Sequence, residues 1–94
     1  MKPIIIKGRE ISKNFPPYII AELSANHNGE LKKALDNITE AKRRGADAVK
    51  LQTYSADTMT IDCNKSDFII NGGLWDGYQL YELYKEAQTP FSWH

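Results

Sequence analysis

Residues 18–52 read YIIAELSANHNGELKKALDNITEAKRRGADAVKLQ. At their head, Tyr18-Ile19-Ile20-Ala21-Glu22-Leu23 has the near-continuous apolar character of a strand buried on both faces, as parallel sheets require. Asn26-His27-Asn28-Gly29 marks a turn, with Asn28 as the helix N-cap. From Glu30 to Arg44, the residues Leu31, Ala34, Leu35, Ile38 and Ala41 fall on one helical stripe, with charged residues opposite. An acid opens this helix, bases close it, and Gly45 stops it. Ala48-Val49-Lys50-Leu51-Gln52 is the second strand. Strand, helix and strand within 35 residues make a βαβ unit, with parallel strands and a right-handed crossover.

Outward from this unit, Ile4-Ile5-Ile6, Gly8 and Glu10-Ile11 predict a small β-hairpin. Pro16-Pro17 breaks the chain and holds Phe15 extended. The stretch from Thr53 to Gly77 reads as a long, irregular βα loop, too long for an ordinary connection and therefore either functional or a flexible liability. Leu80, Leu83, Tyr84 and Ala87 predict a short helix. Thr89-Pro90 is an N-cap and first-position pair that opens another helix as the sequence reaches His94. Residues 1–94 thus read as a truncated, partial N-terminal domain of α/β class.

Composition narrows the functional classes. Twelve Lys and Arg stand against 12 Asp and Glu in 94 residues, for a net charge of zero. Such balance leaves no electrostatic footprint for nucleic acid, and Lys42-Arg43-Arg44 reads as a solvated helix end. No apolar run approaches the roughly 20 residues that span a bilayer, so no membrane role is expected. The single cysteine, Cys63, cannot form an internal disulfide and fits a reducing, cytoplasmic setting.

Strand periodicity indicates where chemistry would sit. Ile20 and Glu22 share one face of the first strand, and Ala48, Lys50 and Gln52 share one face of the second. Both strands therefore carry polar groups towards their C-terminal ends, where parallel α/β folds gather ligand sites. A buried Glu22 and Lys50 would need partners. The structural alternative is an interior ion pair without chemistry. Asn26, His27 and Asn28 follow the first strand in a loop that could reach a ligand, although one turn histidine is more often a local hydrogen-bonding group than a metal ligand. Gly72-Gly73 before Leu74-Trp75-Asp76-Gly77 reads either as a hinge with an aromatic lid or as a surface loop with one packed Trp. Phosphate-binding glycine patterns, nucleophile elbows, CxxC and HExxH are all absent.

Three segments in order, Ile19-Ile20-Ala21-Glu22-Leu23, Asn26-His27-Asn28-Gly29 and Gly45-Ala46-Asp47-Ala48-Val49-Lys50-Leu51-Gln52-Thr53, closely resemble the start of the sialic acid synthase family. Asp57 to Asp62, Gly72 to Gly77, Tyr81-Glu82-Leu83-Tyr84 and Thr89-Pro90 with Trp93-His94 resemble its pseudaminic acid synthase branch. The resemblance implies the N-terminal portion of a TIM (β/α)8 barrel, comprising the first βαβ unit, a preceding hairpin and a long βα loop. In the family a small antifreeze-like domain follows the barrel.

The activity so implied is condensation of phosphoenolpyruvate with an open-chain N-acetylated amino sugar to a nonulosonic acid, with release of phosphate. C3 of phosphoenolpyruvate attacks the aldehyde carbon, water adds at C2, and phosphate leaves by C–O cleavage. The product would serve surface glycan or flagellin sugar biosynthesis. A divalent metal, Mn or Mg, polarises the aldehyde; the family's metal-binding histidines lie downstream of this chain, and neither His27 nor His94 replaces them. Lys50 would pair with anionic phosphoenolpyruvate. Glu22 would be catalytic, facing the reacting carbons, and Gln52 would hydrogen-bond the sugar. Asn26 and His27 would shape the pocket rim. Family members also tend to be homodimers, through the domain absent here.

Leu74-Trp75-Asp76-Gly77 departs from the more polar stretch of sialic acid synthases proper. That favours a 6-deoxy diacetamido hexose over N-acetylmannosamine. N-acetylneuraminate or legionaminate synthesis is the alternative within the family. A small non-catalytic α/β binding module is the alternative of another class, and would have to manage open sheet edges.

Overall fold

The structure, a computed structural model, describes residues 2–94; residue 1 lies outside them. It begins with the expected hairpin. Strands β1 (Ile4–Ile6) and β2 (Arg9–Ile11) pair antiparallel, Ile4 opposite Ile11. Lys7 and Gly8 between them both have positive φ (47° and 80°), the requirement of a type I′ turn, whose twist suits a two-residue hairpin. Gly8 meets it without strain.

The βαβ unit follows. Strand β3 (Ile20–Ser24) pairs parallel with β4 (Ala48–Leu51), and α1 (Leu31–Arg43) crosses between them. The register sets Ile20 opposite Ala48, Ala21 opposite Val49 and Glu22 opposite Lys50, then shifts so that Ser24 faces Leu51. Leu23 is the extra residue of this bulge. Its side chain is buried, and Ser24 beside it has φ 49°, the local bend that a bulge imposes.

Helix α1 ends as its sequence dictates. Gly45 has φ 96°. Its N–H donates to the Lys42 carbonyl, and the Ala46 N–H donates to the Ala41 carbonyl, a complete Schellman motif. The start of the helix differs from expectation. Glu30, not Asn28, is the N-cap, and it makes no side-chain cap bond. Asn28 and Gly29 instead take positive φ (50° and 73°), closed by a Glu30 N–H bond to the His27 carbonyl of 3.0 Å. Asn-Gly is also the strongest type I′ turn pair, and here turn geometry wins over capping.

Burial corrects a second expectation. The face of the sheet carrying Ala21, Leu23, Val49 and Leu51 is partly or wholly buried, and the face carrying Ile20, Glu22 and Lys50 is open. Ile20 in β3 is 55% exposed, and Ile19 just before it 51%, so this run is not buried on both faces. One helix can cover only one side of two strands. On α1 itself Ala34 is buried, while Leu31 and Leu35 remain exposed. The whole chain exposes 7422 Å², where a folded monomer of this size exposes about 5,500 Å².

Asp47 ties the hairpin to the βαβ unit. Its carboxylate accepts the Ile19 N–H at 2.8 Å and also pairs with the Arg9 guanidinium. Arg9 lies over the Tyr18 ring, 5.2 Å from its centroid. The Ile19 amide, and secondarily Arg9, hold the Asp47 carboxyl below its ordinary pKa.

The segment from Thr53 to Gly77 is more ordered than an irregular loop. It contains α2 (Ala56–Met59) and a 3-10 turn at Ser66–Phe68. Ile69 bridges Gln79 antiparallel, and Ile70 N–H donates to the Tyr78 carbonyl at 2.9 Å. Helix α3 (Leu80–Ala87) forms where its apolar spacing predicts. The helix expected from Thr89-Pro90 is a single 3-10 turn, Phe91–Trp93, with Pro90 at its N-cap. Thr89 does not cap it, because its hydroxyl is engaged elsewhere.

Candidate functional site at the strand tips

Glu22 and Lys50 are register partners near the C-terminal ends of β3 and β4. Lys50 Nζ donates to Glu22 Oε1 at 3.2 Å. The two side chains are 63% and 64% exposed, on the sheet face that α1 leaves uncovered. The expectation of a buried pair is therefore corrected: same face and direct contact hold, burial does not. Among the described residues, no second layer lies over Ile20 to exclude water. An ion pair so exposed contributes only about 0–1 kcal/mol, so an incoming anion can displace it at small cost.

Gln52, directly beyond β4, is exposed, and its carbonyl accepts the Thr89 N–H at 3.2 Å. Asn26 is exposed in the loop after β3; its carbonyl accepts from the Asn37 side chain at 3.4 Å. His27 is placed differently from the rim position read in the sequence. Its ring is 0% exposed. Nδ1 accepts the Gly29 N–H at 2.9 Å, and Nε2 lies 3.1 Å from Thr89 Oγ1. With Nδ1 occupied as an acceptor, the neutral ring carries its proton on Nε2 and donates it to Thr89. The Trp93 ring packs edge-on against the imidazole, with centroids 4.9 Å apart.

The segment after α3 thus runs across both strand tips. Thr89 touches the loop after β3 through its hydroxyl and the end of β4 through its amide. His94 Nε2 lies 2.7 Å from Thr53 Oγ1 at the end of the same strand. No local sequence signal announces this brace, since the partners are 62 residues apart.

Trp75 faces a cleft of about 370 Å³ that it lines with Asn28, Gly29, Leu83 and Glu86. It brings the Gly72–Gly77 loop to the same turn that carries Asn26. Neither Glu22 nor Lys50 lines this cleft. The loop is pinned, not free: Gly72 N–H donates to Asp76 Oδ1 at 2.6 Å, and Gly77 N–H to the Ile70 carbonyl at 2.8 Å. Trp75 also packs edge-on against Tyr78 at 5.3 Å. Among the described residues, no group of three or more His, Cys, Asp or Glu side chains could hold a metal ion.

With this geometry established, similarity to known proteins is decisive. The pattern that defines the NeuB family matches residues 37–94, more than half of the chain. The chain belongs to the NeuB family. Among its relatives, the pseudaminic acid synthase of Campylobacter jejuni is 60% identical over 77 residues, covering 82% of this chain and 22% of that protein. The pseudaminic acid synthase of Helicobacter pylori is 53% identical over 79 residues, covering 84% and 23%. The N,N'-diacetyllegionaminic acid synthase of Legionella pneumophila is 55% identical over 42 residues, covering 45% and 12%. The chain therefore spans less than a quarter of the length of these NeuB relatives.

Proposed function

We propose that this chain is the N-terminal part of a TIM-barrel synthase. In this reading the enzyme condenses phosphoenolpyruvate with an open-chain 6-deoxy diacetamido hexose to pseudaminic acid, releasing phosphate. The observation that carries the reading is the Glu22–Lys50 contact of 3.2 Å on the open face of two parallel strands, in a chain 60% identical to a pseudaminic acid synthase over 77 residues. The exposed Ile20 on that face, and the exposed Ile19 just before the strand, fit a sheet that further strands and layers cover. They argue against a self-sufficient binding module.

The side chains suit the chemistry. Lys50 presents a compact cation to the carboxylate and phosphate of phosphoenolpyruvate. When the substrate takes that cation, Glu22 loses its partner beside the reacting carbons. There it can orient the water that adds at C2 and stabilise positive charge developing at that carbon. Gln52 and Asn26 offer amide groups to the sugar. His27 contributes from inside the fold, by holding the loop that bears Asn26. Members of this kind of synthase work with a divalent cation, but the described residues supply no ligand set for one. This reading gives the chain no part in holding it.

Legionaminate synthesis is a second reading, favoured by the 55% identity over 42 residues to the Legionella protein. A cytoplasmic setting fits the free Cys63, and homodimerisation would involve parts beyond these residues. The test is phosphate release by the protein encoded by the complete reading frame, given phosphoenolpyruvate with each candidate sugar in turn. Release with the diacetamido sugar of the pseudaminate series supports the proposal. Release only with N-acetylmannosamine, or with none, overturns it.

A further inference from the structure

His27 and Thr89 are the two most completely buried polar side chains among the described residues, at 0% and 1% exposure. The rest of the chain is unusually open, with Leu23, Ala34 and Ala56 as its only buried apolar residues among those described. A buried polar pair is tolerated only when its hydrogen bonds are made. Here they link the loop after β3 to the residue just beyond β4 by way of the segment after α3. His27 Nδ1 holds the Gly29 amide, His27 Nε2 holds Thr89 Oγ1, and the Thr89 amide holds the Gln52 carbonyl.

We infer that His27 and Thr89 form a positioning clasp, fixing the loop after β3 against the tip of β4 so that Glu22, Lys50 and Gln52 converge on one substrate. This rests on the synthase reading above. The clasp connects the two strand ends through a third segment, the turn after α3. Edge-on packing of Trp93 on the imidazole restricts ring rotation and so favours one direction for the Nε2–H. His27 touches no substrate in this arrangement; it acts through Gly29 and Thr89. Neither residue is interchangeable with an apolar one, because a Val methyl at position 89 leaves the Nε2–H without an acceptor.

The experiment uses Thr89→Val, Thr89→Ser and His27→Gln in the protein of the complete reading frame, with two readouts. Thr89→Val is expected to lower kcat, with KM for phosphoenolpyruvate little changed, by about tenfold to a hundredfold, the scale of a misplacement near 1 Å. Thr89→Ser keeps the hydroxyl and is expected to restore kcat to within about twofold. His27→Gln, whose amide can still reach Thr89, is expected to fall between them.

The second readout is independent of activity. In nitrogen-15 spectra, Thr89→Val should shift the amide signals of Gly29, Lys50 and Gln52 and speed exchange at Gly29, and Thr89→Ser should leave them in place. If Thr89→Val does not fold, Thr89→Ser and His27→Gln still carry the comparison. Equal kinetics for Thr89→Val and the unsubstituted protein would overturn the clasp, as would unmoved strand-tip signals. If the unsubstituted protein releases no phosphate with any sugar, the synthase reading fails, and the amide signals alone decide whether the strand tips depend on the pair.

Discussion

Lys50 and Glu22 stand opposite each other in a parallel register, with Nζ 3.2 Å from Oε1, and both are about two-thirds solvent-exposed. A pair so exposed adds little to holding the sheet together, and the proposed function gives it a ligand to meet. In the 94-residue chain, Glu22→Gln and Lys50→Met should each change unfolding free energy by no more than about 1 kcal/mol. In the complete reading frame they should nevertheless lower kcat/KM by at least about a hundredfold, the scale of a lost charge contact at a reacting centre. Urea unfolding of the 94-residue chain and phosphate-release kinetics of the complete protein check the two halves. Loss of stability matching loss of activity would make the pair structural.

Asp47 predicts an acid limb in stability. Its pKa is lowered, first by the Ile19 amide and then by Arg9, relative to the ordinary aspartate value of about 3.9. Its contribution is therefore complete above that value and is lost as pH falls through the lower, folded one. Urea midpoints measured from about pH 6 down to about pH 2 should decline in the acid part of that range. Asp47→Asn should flatten the decline and lower the neutral plateau. An unchanged slope would show that Asp47 does not anchor the hairpin.

Gly45 offers a test of the helix stop. With φ 96° and no atom within 4 Å of a built Cβ, Gly45→Ala would be penalised by backbone conformation alone. A loss of about 1–2 kcal/mol is expected, measurable as a lower urea midpoint with unchanged slope. A neutral result would mean that the Schellman turn rearranges freely.

The 94-residue chain, prepared by itself, should bind a hydrophobic dye such as ANS at neutral pH, because Ile19, Ile20, Leu31 and Leu35 are exposed. It should release no phosphate from phosphoenolpyruvate with any sugar. Turnover by this chain alone, or a silent dye with uniformly protected amides, would contradict the open-face description.

What the amino-acid order reveals depends on how far a residue's partner lies from it. Gly45 after Arg44, the Lys7-Gly8 turn and the stripe of α1 are decided within a few positions, and all were legible. Which residues share a face within each strand follows from two-residue periodicity, which is equally local, whereas Glu22 meeting Lys50 depends on the register between strands. Exposure of Ile19 and Ile20 is not local: an apolar run says that a strand can be covered, and only the surrounding layers say whether it is. Asn28 shows a different failure, since Asn before Gly suits a helix cap and a tight turn equally well. Thr89 looked like a cap for the same reason, its hydroxyl being claimed by an imidazole far back in the chain.

That distance has a consequence during biosynthesis. A ribosome adds about 5–20 residues each second, and Thr89 follows His27 by 62, so the imidazole waits about 3–12 s for its hydroxyl to be made. Passage through the exit tunnel lengthens the delay. Over that interval the nascent βαβ unit must keep the histidine in water, or lend it to a chaperone, before the later segment arrives to close over it.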